Sequence, residues 1–399
     1  MAPSEVVILS GQRTPIGKYG GSFKDIHPAE LGAVAARAAI ERSGLTASDI
    51  DEVLMGHGRQ AGSGPNPARQ VGHRAGVSDR APAFTINKAC ASGMQAVVSG
   101  AQSILLGESN VVLAGGIESM SRMPYLIDSA DARWGHRMGN FTLVDAMYRD
   151  GFQCPLSNLI MGETAEVLAR QYGITREQSD CFALESQKKA AAAIAGGHFT
   201  REIAPVTITV KGAPVVVDRD EHPRDTTIES LRKLPLAFPK VEGETGMITP
   251  GTASGVTDGG AALVLTSAET ARQRGWRPRA RILGWASAGV DPRIMGIGPV
   301  PAIEKLQQRI GLGADDFDLV ELNEAFAPQV LAVLKDVPIS GDRLNVNGGA
   351  IALGHPIGCS GARIIVTLLH ELERRQAKRG LATLCVSGGM GMAIAIEIA

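Results

Sequence analysis

The stretch "GLTASDIDEVLMG" (Gly44 to Gly56) can be laid without a gap over "GLGADDFDLVELN" (Gly311 to Asn323). Each has Gly-Leu, an acidic turn and then an apolar strand. The helices before them match at the same spacing: "LGAVAARAAIERS" ends just before the first and "PAIEKLQQRI" just before the second. Such self-similarity is the mark of a duplicated architecture, and it decides most of the fold. The match continues in "CASGMQAVVSGAQSILLGESNVVLAGGIESM" (from Cys90) and "CSGARIIVTLLHELERRQAKRGLATLCVSGGMGMA" (from Cys359). Both share Ser-Gly, a helix with the 3.6-residue apolar rhythm, a short buried strand and a glycine pair. Alternating strands and helices predict an α/β fold, with a mostly parallel sheet covered by helices.

One copy lies before about Met120 and the other after about Arg279. Between them runs a turn-rich segment, roughly Ser121 to Thr249, with helices at "MGETAEVLARQYG" and "TREQSDCFALESQKKAAAAIA". "GVTDGGAALVLTS" (Gly255 to Ser267) reads as a buried helix and strand that return the chain to the first unit. Two copies of one unit meet face to face, so a site at their meeting draws on matching loops of both.

At 399 residues the chain exceeds what one core usually covers, which predicts two or three units. It is 44% hydrophobic and 20% charged with a formal net charge of −1, a globular composition without the basic surface that nucleic acid needs. The five cysteines (Cys90, Cys154, Cys181, Cys359, Cys385) are widely spaced, with no CxxC, so neither structural zinc nor a disulfide framework is expected. "MAPSEVVILSGQRTP" lacks the basic flank of a leader, and no apolar run reads as long enough to cross a bilayer. The default compartment is a reducing cytosol. The eight histidines show no metal-ligand spacing, and "GQRTPIGKY" has the wrong spacing and ending for a phosphate loop.

The matching loops hold the reactive residues. "TINKACASGMQAVVSG" puts Cys90 at the start of a long helix, where N–H groups and the helix dipole are expected to lower a thiol's pKa. The competing reading is a small buried residue. "LNVNGGAIALGHPIGCSGAR" (Leu344 to Arg363) sets His355, a general base by type, among five glycines that permit close backbone approach. "LCVSGGMGM" places Cys385 at a strand end before a glycine turn, where it reads equally as core. Asn323 in "ELNEAFAPQ" follows an apolar strand and could orient a water or cap the next helix. Cys359 reads as packing, and Cys154 and Cys181 as incidental thiols.

Taken together, "NKACASGMQAV", "ASGVTDGGAA", "NEAFA", "NVNGGAIALGHPIGCSGAR" and "CVSGGMGMA" resemble the thiolase family, in order and over essentially the whole chain. The resemblance implies a duplicated thiolase fold of five layers, αβαβα, with a loop domain inserted in the first half. Residues 1–120 with 250–272 would form the N-terminal half, 121–249 the loop domain and 273–399 the C-terminal half. The implied activity is acyl-CoA C-acyl transfer: Claisen condensation of two acetyl-CoA into acetoacetyl-CoA and CoA, or the reverse thiolysis. "MGNFTLVDAMYRDGF" (from Met138) resembles the biosynthetic branch, which acts on short acyl chains. The alternatives are a degradative 3-ketoacyl-CoA thiolase for longer chains and a non-catalytic acyl-CoA-binding protein on the same fold.

Carried over by position, Cys90 matches the acyl-accepting nucleophile and His355 the histidine that activates it and lines one oxyanion hole. Asn323 matches the asparagine that holds a water in that hole, and Cys385 the thiol that moves the α-carbon proton. A Ser387 N–H would serve the other hole. Of the coenzyme A contacts, Arg224 would approach the adenine, Ser230 and Phe238 would line the nucleotide site and Ser254 would bind the pantetheine. Met161, Ala325 and Phe326 would border the acyl pocket. No permanent cofactor or metal is implied; coenzyme A is substrate and product, and a loop matching Ser121 to Asn140 implies a homotetramer. Three positions depart from the family: Ser387 where glycine is common, Ile160 where the biosynthetic branch carries histidine, and His57 with Arg59 in "MGHGRQAGSGPNPARQ". The first bears on rate and the second on chain length; the sequence offers no account of the third.

Overall fold

A computed structural model describes residues 5–399; the first four residues of the N-terminal stretch read above lie outside it. The central sheet contains strands β1 (Val6–Arg13), β2 (Glu52–His57), β3 (Ala83–Ile86), β4 (Val111–Ser119) and β5 (Thr257–Ser267) from the first copy. The second copy supplies β6 (Ala280–Gly289), β7 (Leu319–Leu322), β8 (Arg379–Val386) and β9 (Met390–Ile398). The helices are α1 (Pro28–Ser43), α2 (Pro67–Arg74), α3 (Ser92–Leu106), α4 (Met161–Gln171), α5 (Arg176–Ala195), α6 (Pro299–Ile310), α7 (Ala327–Asp336) and α8 (Ile357–Arg375).

The opening repeat is real in space. Helix α1 stops at Gly44 and α6 at Gly311, each in the left-handed conformation (φ 76° and 69°) that glycine tolerates best. A 3-10 turn follows in both, Ala47–Asp49 and Ala314–Asp316, and then the strand, β2 or β7. The strand order is β7-β8-β9-β6-β1-β5-β4-β2-β3, with a two-residue strand, Gly17–Lys18, beside β5. The halves join where β1 and β6 pair at Val7↔Arg281 and Ile8↔Ala280. In the second half an isolated parallel bridge, Val320↔Leu344, takes the place that β3 has in the first.

Two expectations fail here. The sheet is not mostly parallel: β1/β5, β5/β4, β1/β6, β6/β9 and β9/β8 are antiparallel, and only β4/β2, β2/β3 and β8/β7 are parallel. Nor does Gly255 to Ser267 contain a helix; it is one long strand, buried throughout. Both misreadings have one cause. Helices cover both faces, so every residue of β1, β4 and β5 is buried and the apolar run says nothing of direction.

Alternation along the strands sorts side chains into layers. Val7, Leu9, Val53 and Met55 face α1 and α2. Ile8, Leu54, Leu384 and Ile394 face a central layer made by α3 and α8, while Leu381, Ala393 and Ala395 face α6 and α7. The result is α/β/α/β/α. Residues Ala89–Leu106 do reach 18 residues at mean hydropathy 1.2, contrary to the reading of the sequence; α3 is apolar because it lies between two sheet layers, and 67% of that window is buried.

Candidate active site

Cys90 lies in a 3-10 turn, Ala89–Ala91, that runs straight into α3. Ala89 before it takes a positive φ of 46°, unusual for a residue with a side chain, so the turn at the thiol is strained. The Ser387 N–H points at the Cys90 sulfur and favours its thiolate, as does the Arg59 charge. Burial outweighs both, and the thiol is pushed up from its ordinary value, not down as its helix-start position suggests. Ser387 is half-buried in the turn after β8, where Gly388 and Gly389 carry the positive φ (89° and 82°). A serine therefore fits at 387, because the strained positions fall on the glycines after it.

His355 sits just before α8, 6% exposed. Its N–H donates to Gly255 O at 3.0 Å, and its Nδ1 lies 2.6 Å from Ser360 Oγ. Ser360 Oγ is also 3.0 Å from Pro356 O, and its one hydrogen can serve only one of the two. When the hydroxyl donates to Pro356 O, Nδ1–H donates to Oγ and Nε2 presents a lone pair. When it turns to Nδ1, Nε2 carries the hydrogen. Nε2 is buried, has no hydrogen-bond partner among the described residues and is free to act either way.

Burial, then the charges of Arg363 and Arg59, bring the His355 pKa down to about 3. A histidine with so low a pKa is neutral across the working range, so the resting pair is a thiol and a neutral imidazole. Iodoacetamide labelling of Cys90 from about pH 5 to 10 is expected to rise without an inflection near 6.5. An inflection there would show that His355 is charged in the resting site.

The second copy supplies the rest. Asn323 follows β7, 1% exposed, and both its side-chain atoms lack hydrogen-bond partners among the described residues; α7 starts only after Phe326, so Asn323 is not its cap. A buried carboxamide with both ends open is set to bind a water or a ligand. Cys385, near the end of β8 and 1% exposed, packs with Met295, Ala325, Met161 and Phe326. Burial first and the neighbouring Cys90 thiolate second push the Cys385 thiol well up. Three of the residues assigned to the acyl pocket thus meet at the second thiol.

The assigned coenzyme A contacts spread outward from there. The Ser254 N–H donates to Ala325 O at 3.0 Å, and Phe238 lies against Gly162 at the start of α4. Arg224 and Ser230 are exposed; Arg224 Nη2 is 3.2 Å from Nε2 of His222, a buried ring whose Nδ1 is 2.9 Å from Ala352 O. The glycines of Leu344 to Arg363 do not mainly serve a ligand. A Cβ at Gly358 would lie 2.5 Å from Gly58 N, and one at Gly354 2.4 Å from Thr257 Cγ2, so the close approach there is the protein's own.

Sequence reasoning missed Ser360, Glu118 and the reason for His57 and Arg59. Glu118, fully buried on β4, accepts from Gly58 N (3.2 Å), Arg59 N (3.1 Å) and Gly358 N (2.8 Å), and lies 3.1 Å from His57 Nε2. One carboxylate thus ties the loop after β2 to the loop that carries His355. The only sequence signal was an acidic residue inside an apolar strand. Cys359 is structural as read, its thiol pushed up to about 12 by burial. Cys154 is buried, and hydrogen bonds from the Ser157 side chain and then from N–H groups that include Gly388's outweigh burial and lower its thiol pKa.

Two family models divide the chain between them. The thiolase N-terminal domain matches residues 6–269 and the thiolase C-terminal domain residues 276–398. The chain belongs to the thiolase family. This thiolase is 50% identical over 394 residues to an acetyl-CoA acetyltransferase of Pseudomonas aeruginosa, covering 98% of this chain and 99% of that one. Among solved structures, the acetyl-CoA acetyltransferase of Bacillus anthracis matches it with a TM-score of 0.96 at 46% identity, covering 100% of both chains. Human mitochondrial 3-ketoacyl-CoA thiolase in complex with CoA matches with 0.94 at 42%, covering 99% of this chain and 98% of that one.

Proposed function

We propose that this thiolase is an acetyl-CoA acetyltransferase, joining two acetyl-CoA into acetoacetyl-CoA and CoA through an acyl-Cys90 intermediate, and catalysing the reverse thiolysis. The observation that carries the reading is the convergence of two thiols, one from each copy, on one turn: Cys385 is the next-to-last residue of β8, and the Ser387 N–H beyond it faces Cys90. Cys90 gives its proton to His355 Nε2 and attacks the thioester carbonyl, and the Ser387 N–H takes up the oxyanion. CoA leaves as the thiol, taking the proton from His355. Once Cys90 is acylated its charge is gone, so Cys385 can pass its proton to the vacated His355 Nε2 and, as the thiolate, remove an α-proton from the second acetyl-CoA. The resulting enolate oxygen is met by His355 Nε2–H and a water on Asn323, and the α-carbon attacks acyl-Cys90 to release acetoacetyl-CoA, the departing Cys90 thiolate taking its proton back from His355.

Met161, Ala325 and Phe326 would border the acyl group, with Ser254, Phe238, Ser230 and Arg224 along the coenzyme. We take residues 1–120 with 250–272 and residues 273–399 as the two halves and 121–249 as the loop domain. Within it Tyr125, Trp134 and Met138 are 66%, 79% and 90% exposed, which supports a homotetramer built on that loop. Five free thiols suit the cytoplasm. Ile160, which precedes the acyl-pocket residue Met161, favours the second reading, a longer-chain 3-ketoacyl-CoA thiolase. Turnover on acetoacetyl-CoA against a longer 3-ketoacyl-CoA separates the two, and a strong preference for the longer chain sinks the first.

The direct test is to incubate the protein with acetyl-CoA and record its intact mass. A gain of about 42 Da, mapped to Cys90, is the acetyl-enzyme that nucleophilic catalysis requires. A folded protein that binds CoA and gains no adduct would instead fit an acyl-CoA-binding protein without catalysis.

A further inference from the structure

We propose that Arg59 is a fixed positive charge, held beside the reactive thiol to offset the Cys90 thiolate each time it forms. The inference rests on Cys90 being the acyl acceptor. Arg59 is only 6% exposed, and among the described residues no carboxylate oxygen lies within 4.0 Å of its guanidinium. Its Nη2 donates to Gly151 O at 2.5 Å, while Nε is buried with no hydrogen-bond partner among the described residues. A buried cation is ordinarily paired. Glu118 does not pair with it directly, since that carboxylate is occupied by three backbone N–H groups and His57.

The loop that carries Arg59 is fastened to the Cys90 turn. Asn87 Nδ2 donates to Gly58 O at 3.1 Å while its Oδ1 accepts from Ala89 N at 3.0 Å, so one side chain bridges the two. A Cβ at Gly151 would lie 2.9 Å from Arg59 Nε, so the inserted segment presses the guanidinium into place with a residue that has no side chain. Phe152 next to it packs in the same cluster as Cys90.

The other groups around the thiol cannot supply this charge. His355 is neutral in the resting site and is charged only while it holds a transferred proton, Cys385 adds a negative charge if it ionises, and Glu118 opposes the Cys90 thiolate. Arg59 is the leading charge that favours it. The thiolate forms twice in each turnover, as nucleophile and as leaving group, so a permanent cation helps both steps.

Arg59→Gln keeps a donor for Gly151 O and removes the charge; Arg59→Lys keeps the charge and loses the fork. Iodoacetamide labelling, mapped to Cys90 by peptide mass, reads the thiolate fraction. In Arg59→Gln the rate at about pH 8 should fall about tenfold, with the profile shifted up by about one pH unit and converging on wild type at high pH. Arg59→Lys should stay within about threefold of wild type. An unchanged rate in Arg59→Gln, with the acetyl adduct on Cys90 still formed, overturns the role of Arg59 and leaves that of Cys90 standing. If wild-type Cys90 takes neither label nor acetyl group, both readings fall. Should Arg59→Gln not fold, Arg59→Lys decides: a tenfold loss with the charge retained overturns the proposal, and a rate near wild type supports it.

Discussion

Cys90→Ser should abolish acyl transfer and leave the fold intact. The hydroxyl fills nearly the same space in a turn that retains some exposure, so packing around α3 should not change. Chemically the change is large. A serine hydroxyl has a far higher pKa than a thiol, and His355, with a pKa near 3, is too weak a base to ionise it. An alkoxide would also be a poor leaving group in the second half-reaction, where cysteine leaves as a thiolate. Loss of a nucleophile of this kind costs on the order of 10⁴-fold or more in turnover. Assay of both directions, with a thermal melt beside it, checks the prediction. Residual activity within a hundredfold of wild type would mean that Cys90 does not carry the acyl group.

The second large effect separates the two half-reactions. Cys385→Ser should still take an acetyl group on Cys90 while carbon–carbon bond formation slows by about 10² to 10⁴-fold, the usual share of a positioned acid or base. The two thiols are coupled: the Cys90 thiolate holds the proton on Cys385, so both cannot be anions together. Acylation removes that constraint, which sets the order of events without any moving part. A serine at 385 has no such accessible anion, yet nothing in the acylation step calls on it. Burst labelling with acetyl-CoA, followed by turnover measurement, reads the halves apart. Failure of Cys385→Ser to acylate would place Cys385 in the first step and overturn this division.

Much of the molecule could be read before its structure was known, for reasons visible in particular residues. Gly44 and Gly311 end their helices by local backbone geometry, which needs no distant partner, so the repeat and its element order follow from neighbours in the chain. Cys90, Asn323 and His355 stand at element ends in glycine- or polar-rich loops, where functional side chains are presented, and Cys385 is the next-to-last residue of β8 before a glycine turn. Strand direction was not legible. A strand covered on both faces is apolar at every position whichever way its neighbour runs, and β5 in particular reads as helix or strand by the same run of small and apolar residues.

The charges around the thiol are likewise a property of the tertiary structure. Glu118 bonds Gly358 across 240 residues of sequence, and Arg59 reaches Gly151 across 92. Nothing local says that these groups meet, and whether a helix-start cysteine is more or less acidic depends on how deeply the rest of the chain buries it. The sequence by itself determined the duplicated α/β unit, because spacing and turn chemistry are written in adjacent residues, and its resemblance to the thiolase family pointed to Cys90, His355, Cys385 and Asn323 as the reactive side chains. Only the tertiary structure decided how the strands run, that His355 is neutral, and that Arg59 stands as an unpaired buried cation near Cys90, because direction, desolvation and charge pairing are set by residues far apart in the chain.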